Sequence, residues 1–229
     1  MPARSRTLPA LLDALEELYG APAAPEITDP LEIILYESIA YLANDARRAE
    51  AWSAFTRRVG TSPARILAAP RAELTEIARA GILPAERVER VREISSIVIE
   101  QFGGDLNSAL DERPAEARRL LQKFPSIGAP GAEKILLFSR REAVLALESN
   151  GLRVLLRLGY GTEQKSYAAS YRSAQSAAME ELEAGFEQLI RAHQLLRRHG
   201  QQLCRRMHPR CEVCPLRGEC SYARCPEAR

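Results

Sequence analysis

Cys204, Cys211, Cys214 and Cys220 fall within one short C-terminal stretch, separated by six, two and five residues. Thiols this close in the chain favour one shared metal centre. Spacing alone leaves a tetrahedral zinc and an iron–sulfur cluster both open. All five cysteines lie between Cys204 and Cys225, which fits a reducing compartment and metal binding better than a disulfide framework. Cys225 stands outside the spacing and is read as a free thiol. A centre so near the end of the chain acts as a staple for a short loop rather than as a seat of chemistry.

The chain ahead of that loop reads as helices. Aromatic residues make up only 6% of 229, and long runs rich in Ala, Leu, Arg and Glu lie between Gly and Pro breaks. An all-α fold follows, long enough for one large domain or two compact lobes. Residues 8 to 19 form an amphipathic pattern, and the Pro-rich stretch GAPAAPEITDP marks a boundary. Asp29-Pro30 then opens a helix that puts Leu31, Ile34, Leu35, Ile39 and Leu42 on one side, with Glu37, Tyr41 and Asn44 on another. Further helices are predicted over 46 to 59, 63 to 68, 70 to 79, 85 to 101, 114 to 123, 131 to 140, 149 to 158 and 165 to 199. No alternation is long enough to imply a sheet.

Formal net charge is only +2, so the molecule as a whole does not announce a polyanionic partner. Basic character rests on arginine and thickens toward the C-terminus; the lysines are Lys123, Lys134 and Lys165. A planar, always-charged guanidinium suits phosphate contact. The loop residues Arg205, Arg206 and Arg210 are candidates for that role. The N-terminal stretch has no apolar h-region and nothing approaches a membrane span, so a soluble cytoplasmic protein is expected.

The stretch FPSIGAPGAEKILLF, Phe124 to Phe138, reads as a tight turn entering a helix. Pro125 begins the turn, Gly128 permits close backbone approach, and Pro130 suits a first helical position. Backbone N–H groups at such a turn make an anion site, so Ser126, Ile127, Gly128 and Gly131 are candidate phosphate contacts.

Hairpin and cysteine spacing together resemble the endonuclease III-like group of helix-hairpin-helix DNA glycosylases, across roughly residues 29 to 222. LLRRHGQQLC before the cysteines is part of that likeness, and Ser126 replaces the first glycine of the family hairpin. The resemblance implies a [4Fe-4S] cluster on Cys204, Cys211, Cys214 and Cys220, in a loop spanning 204 to 220. It implies two helical lobes with a DNA cleft between them: residues 29–139 as a helical barrel with the hairpin near 124–131, and residues 1–28 plus 140–229 as the cluster domain. Double-stranded DNA with damaged, mispaired or abasic sites is the implied partner, bound by a monomer associated with the nucleoid.

Bifunctional members place a Schiff-base lysine just after the hairpin; here Pro130 takes that position and offers no amine. Lys134, one turn on, is the alternative nucleophile. In LALESNGLRVLLRLGYG, Glu148 falls on the family aspartate that stabilises the sugar cation, with Ser149 as the expected N-cap. Glu37 falls where the mismatch-adenine branch places its general acid. Leu42 and Ile82 align near residues that enter the stack vacated by a flipped base. The expected function is a monofunctional base-excision glycosylase. Two alternatives stand beside it: a catalytically impaired iron–sulfur DNA-binding protein, and a bifunctional enzyme using Lys134.

Overall fold

A computed structural model describes residues 6–224; Cys225 lies outside the described residues. Every regular element among those residues is helical. Helix α1 (Leu8–Tyr19) ends at Gly20, whose φ of 78° suits glycine. Its Leu8, Leu11, Leu12 and Leu15 follow the i, i+3, i+4, i+7 rhythm and are all essentially fully buried. Each contributes roughly 2 kcal/mol of burial.

Eight helices follow in the unit Glu26–Ser139: α2 (Pro30–Ile39), α3 (Asp45–Arg58), α4 (Pro63–Ala68), α5 (Arg71–Ala78), α6 (Pro84–Phe102), α7 (Leu106–Glu112), α8 (Ala117–Leu121) and α9 (Ala129–Phe138). Asp29 caps α2 by accepting from the Glu32 amide at 3.0 Å, with Pro30 in the first turn. The long α6 is the spine of this unit, and α2, α4 and α5 pack along it. Ile34, Leu35, Phe55, Ile66, Leu74, Val91, Ile94 and Val98 fill the core. Phe124, at the end of the turn after α8, stacks on Phe102 with centroids 5.7 Å apart, which anchors the hairpin to that core.

The other unit, Met1–Pro25 with Arg140–Arg229, joins α1 to α10 (Ser149–Leu158), α11 (Tyr167–Met179), α12 (Phe186–Gln202) and the short α13 (Ser221–Arg224). Helix α12 packs on both α1 and α10. Its contact with α10 is close enough that a Cβ on Gly200 would lie 2.6 Å from the Asn150 carbonyl oxygen.

Three predicted spans need correction. The helix from Pro30 ends at Ile39, so Tyr41 and Asn44 do not continue it; Ala40 leaves the helical region and Asn44 caps α3 instead, accepting from the Arg47 amide. The span 114 to 123 splits into a 3-10 turn, Pro114–Glu116, and α8. The span 165 to 199 breaks between α11 and α12, where Glu181 accepts from the Leu8 amide at 2.5 Å and the Tyr160 hydroxyl at 2.9 Å. That carboxylate supplies the side-chain acceptor that α1 otherwise lacks at its start.

Candidate functional site

In the hairpin unit, the Ile127 amide closes the turn on the Phe124 carbonyl at 3.2 Å. Gly128 then caps α9, and its carbonyl accepts from Ala132 at 2.9 Å. Ser126 takes φ 66°, the left-handed region that glycine enters without strain. Ser126, Gly128 and Ala129 are exposed, while Ile127 packs against the core. Amides at a helix start lack intrahelical partners and attract anions. Pro130, in the first turn of α9, contributes none.

Lys134, one turn beyond, donates to Glu37 Oε1 at 2.6 Å and lies 5.5 Å from the Phe138 ring centroid. Arg48 donates to the other Glu37 oxygen at 3.5 Å and to the Ala43 carbonyl at 3.3 Å. The two sequence candidates Glu37 and Lys134 are therefore brought together, as an ion pair. Both carboxylate oxygens act as acceptors, so a Glu37 that donates a proton must first leave these cations.

Leu42 and Ile82 also come together. The Ile82 amide donates to the Tyr41 carbonyl at 3.0 Å, and Gly81 presses so close that a Cβ there would meet the Tyr41 oxygen at 2.6 Å. Around this clasp four large side chains stand exposed: Tyr41 44%, Leu42 67%, Ile82 46% and Leu83 50%. Leu42 and Leu83 both have positive φ, 57° and 54°, a strained backbone for branched side chains.

In the cysteine unit, Glu148 itself caps α10, in place of the expected Ser149. Its Oε1 accepts from the Gly151 amide at 2.6 Å and its Oε2 from Asn150 at 2.7 Å. Asn150 accepts in turn from Arg153 at 2.8 Å, and Arg153 donates to the carbonyls of Gly200 at 2.8 Å and Cys204 at 2.9 Å. A continuous hydrogen-bonded chain thus runs from the Glu148 carboxylate to the backbone of the first cysteine. Burial is the main cause that pushes the Tyr167 hydroxyl upward, and the Glu148 charge adds to it.

Cys204, Cys211, Cys214 and Cys220 line one cavity together with Val154, Leu158, Leu203 and Leu216. Burial pushes the Cys214 thiol up to about 11, with repulsion from the other three thiolates adding to it, and Cys220 shifts the same way. Thiols gathered in an apolar pocket are held together as thiolates by a cationic centre. No three His, Cys, Asp or Glu side chains among the described residues close on a point that would hold a single ion. The four thiols that line this cavity are a donor set of the kind that holds a thiolate-bound metal centre. Arg157 braces the loop by donating to the carbonyls of Arg205 at 2.8 Å and Arg206 at 3.3 Å. Arg205, Arg206 and Arg210 are exposed; Arg205 donates to the Gln202 carbonyl at 3.1 Å, and Arg210 borders the cysteine cavity.

His199 was not singled out from the sequence, although it stands just ahead of Cys204 in α12. It is 1% exposed, lies 3.0 Å from the Tyr19 hydroxyl and 3.5 Å from Cys214 Sγ, and burial lowers it to about 4. Tyr19 is pushed up to about 12, mainly by burial, so both groups are neutral near pH 7.

No protein-family model matches this chain. It is 23% identical over 203 residues to Endonuclease III of Thermotoga maritima, covering 86% of this chain and 85% of that protein. Among solved structures, a non-covalent Endonuclease III–DNA complex superimposes with a TM-score of 0.73 at 19% identity, over 95% of each chain. A thermostable thymine-DNA glycosylase gives 0.74 at 18% identity, over 94% of each. The likeness first read from the hairpin and the cysteine loop thus extends over nearly the whole chain, in sequence and in fold.

Proposed function

We propose that this endonuclease III-like chain is a base-excision-repair DNA glycosylase that hydrolyses the N-glycosidic bond of an extruded damaged or mispaired base, without a Schiff-base route to strand cleavage. One observation carries the second half: Pro130 stands where the resemblance expects the nucleophilic lysine, and Lys134 is engaged by Glu37 at 2.6 Å. A nucleophilic amine needs close and free placement at the sugar.

Breaking the glycosidic bond builds positive charge on the sugar, which a fixed carboxylate stabilises. Glu148 is the candidate, held in place by the Gly151 amide and Asn150. Glu37 is the candidate acid for the leaving base, acting once freed from Lys134 and Arg48. Backbone groups at Ser126, Ile127, Gly128 and Gly131, with Arg205, Arg206 and Arg210, grip phosphates; Leu42 and Ile82 fill the gap left by the extruded nucleotide. Cys204, Cys211, Cys214 and Cys220 hold a [4Fe-4S] cluster whose contribution is structural, supplying the cationic centre that closes the loop. The protein works as a monomer.

A second reading, a lesion-binding protein without catalysis, is favoured by one feature: both oxygens of Glu148 are already used within the protein. A panel of duplexes carrying oxidised, deaminated, alkylated, mismatched and abasic sites separates the readings. Base release that leaves an abasic site, with strand breaks appearing only after alkali, supports the proposal, whereas direct strand cleavage contradicts it. Selective binding with neither reaction establishes the second reading.

A further inference from the structure

The chain reaches Glu148 along a stretch whose partners the glycosylase reading has not used. Residues 142–148 form neither helix nor strand, yet Leu145, Ala146 and Leu147 are buried. Buried peptide groups need partners, and here side chains supply three of them. The Tyr171 hydroxyl accepts from the Leu147 amide at 3.1 Å, Gln175 donates to the Leu145 carbonyl at 2.9 Å, and His193 Nδ1 lies 2.8 Å from the Ala146 carbonyl oxygen. A carbonyl only accepts, so His193 carries its proton on Nδ1.

The partners alternate. Leu145 and Leu147 are met from α11, and Ala146, between them, is met from α12. Neighbouring residues of an extended chain present their peptide groups to opposite edges, so the two helices grip the stretch from both sides. The spacing fits too: Tyr171 and Gln175 stand about 6 Å apart along their helix, and two residues of extended chain cover about 6.6 Å. Helices α11 and α12 thus take the place of neighbouring strands, and the backbone stays extended as far as Glu148, with φ −101° and ψ 173°.

We propose that Tyr171, Gln175 and His193 are positioning residues for the Glu148 carboxylate, holding the backbone that carries it in one register. The proposal rests on the glycosylase reading, in which that carboxylate stabilises the sugar cation. The carboxylate's own partners, Gly151 and Asn150, lie in the first turn of α10 and travel with Glu148 if that turn shifts. Tyr171, Gln175 and His193 stand on other helices and fix where the turn begins. A misplacement of about 1 Å can cost roughly 100-fold in rate, so a lost hold shows in the chemistry before it shows in DNA binding.

The test uses the full chain and single-turnover base release from a duplex that the parent protein processes, read beside DNA affinity and denaturant unfolding. Tyr171→Phe and His193→Leu are expected to slow release about tenfold, with affinity within about twofold of the parent. Phe55→Leu, which weakens the core of the other unit, is the control for lost stability and keeps release within about twofold. Gln175→Met, at a half-buried position farther from Glu148, slows release about fivefold and carries the test if neither of the first two variants folds. Release within about twofold of the parent in the folded variants, or slowed equally by Phe55→Leu, overturns the positioning role and leaves the glycosylase reading standing. A parent protein that releases no base from any duplex overturns both.

Discussion

Lys134 donates to Glu37 across 2.6 Å, tying the helix that follows the hairpin to the first helix of the same unit. In the sequence these residues were rival catalytic candidates. In the fold they are partners, and each limits what the other can do alone.

Lys134→Met should therefore leave base release within about tenfold of the parent, since no covalent step depends on the amine. Stability should fall by no more than about 1 kcal/mol, because both side chains are partly exposed. Borohydride trapping checks the chemistry. A covalent DNA adduct formed by the parent and lost in the variant would reinstate the lyase route.

Ser126 holds a left-handed backbone that glycine adopts freely. Replacing it by glycine removes a strain of roughly 1 kcal/mol, partly offset by the greater freedom of glycine in the unfolded chain. Denaturant unfolding should show Ser126→Gly to be the more stable protein. DNA binding should be retained, since the substitution leaves the turn's amides in place.

Much of the fold was legible because Pro and Gly punctuate it. The spans 8–19, 63–68 and 149–158 match α1, α4 and α10 to the residue. Helix α7 was missed: at seven residues it is too short to show a period, and its clearest local signal is Asp105, which caps it through the Ser108 amide. The break between α11 and α12 has a local signal in Gly185, which caps α12, whereas the contacts that Glu181 makes there with residues far away in the chain were not legible. At the site, spacing alone singled out the four cysteines that line one cavity, because they sit close together in sequence. The path from Glu148 through Asn150 and Arg153 to Cys204 was not legible, because it depends on how α12 lies against α10. The positive φ of Leu42 is likewise a tertiary property, set by the clasp between Tyr41 and Ile82.

That clasp gives a sharper test of the exposed loop. Gly81→Ala puts a methyl against the Tyr41 peptide at 2.6 Å, where backbone must shift. A destabilisation of roughly 2 kcal/mol is expected by denaturant unfolding. Affinity for abasic-site duplex should fall with it, because Tyr41, Leu42 and Ile82 all move.

The metal centre is tested by colour and by local order. The purified protein should be brown with broad visible absorbance, which a zinc site cannot give. Cys214→Ser, or removal of iron by an oxidant and chelator, should bleach it and open residues 204–224 to protease. Helices of the hairpin unit should stay protected, since their core contains no residue of the loop.

The role of Glu148 is the centre of the account. Glu148→Gln keeps an amide oxygen to accept from Gly151, so the start of α10 survives while the charge is lost. On whichever duplex the parent processes, single-turnover base release by Glu148→Gln should be slower by at least about 100-fold, with DNA affinity nearly unchanged. Release within about threefold of the parent would show that the carboxylate only caps its helix, and would contradict the mechanism.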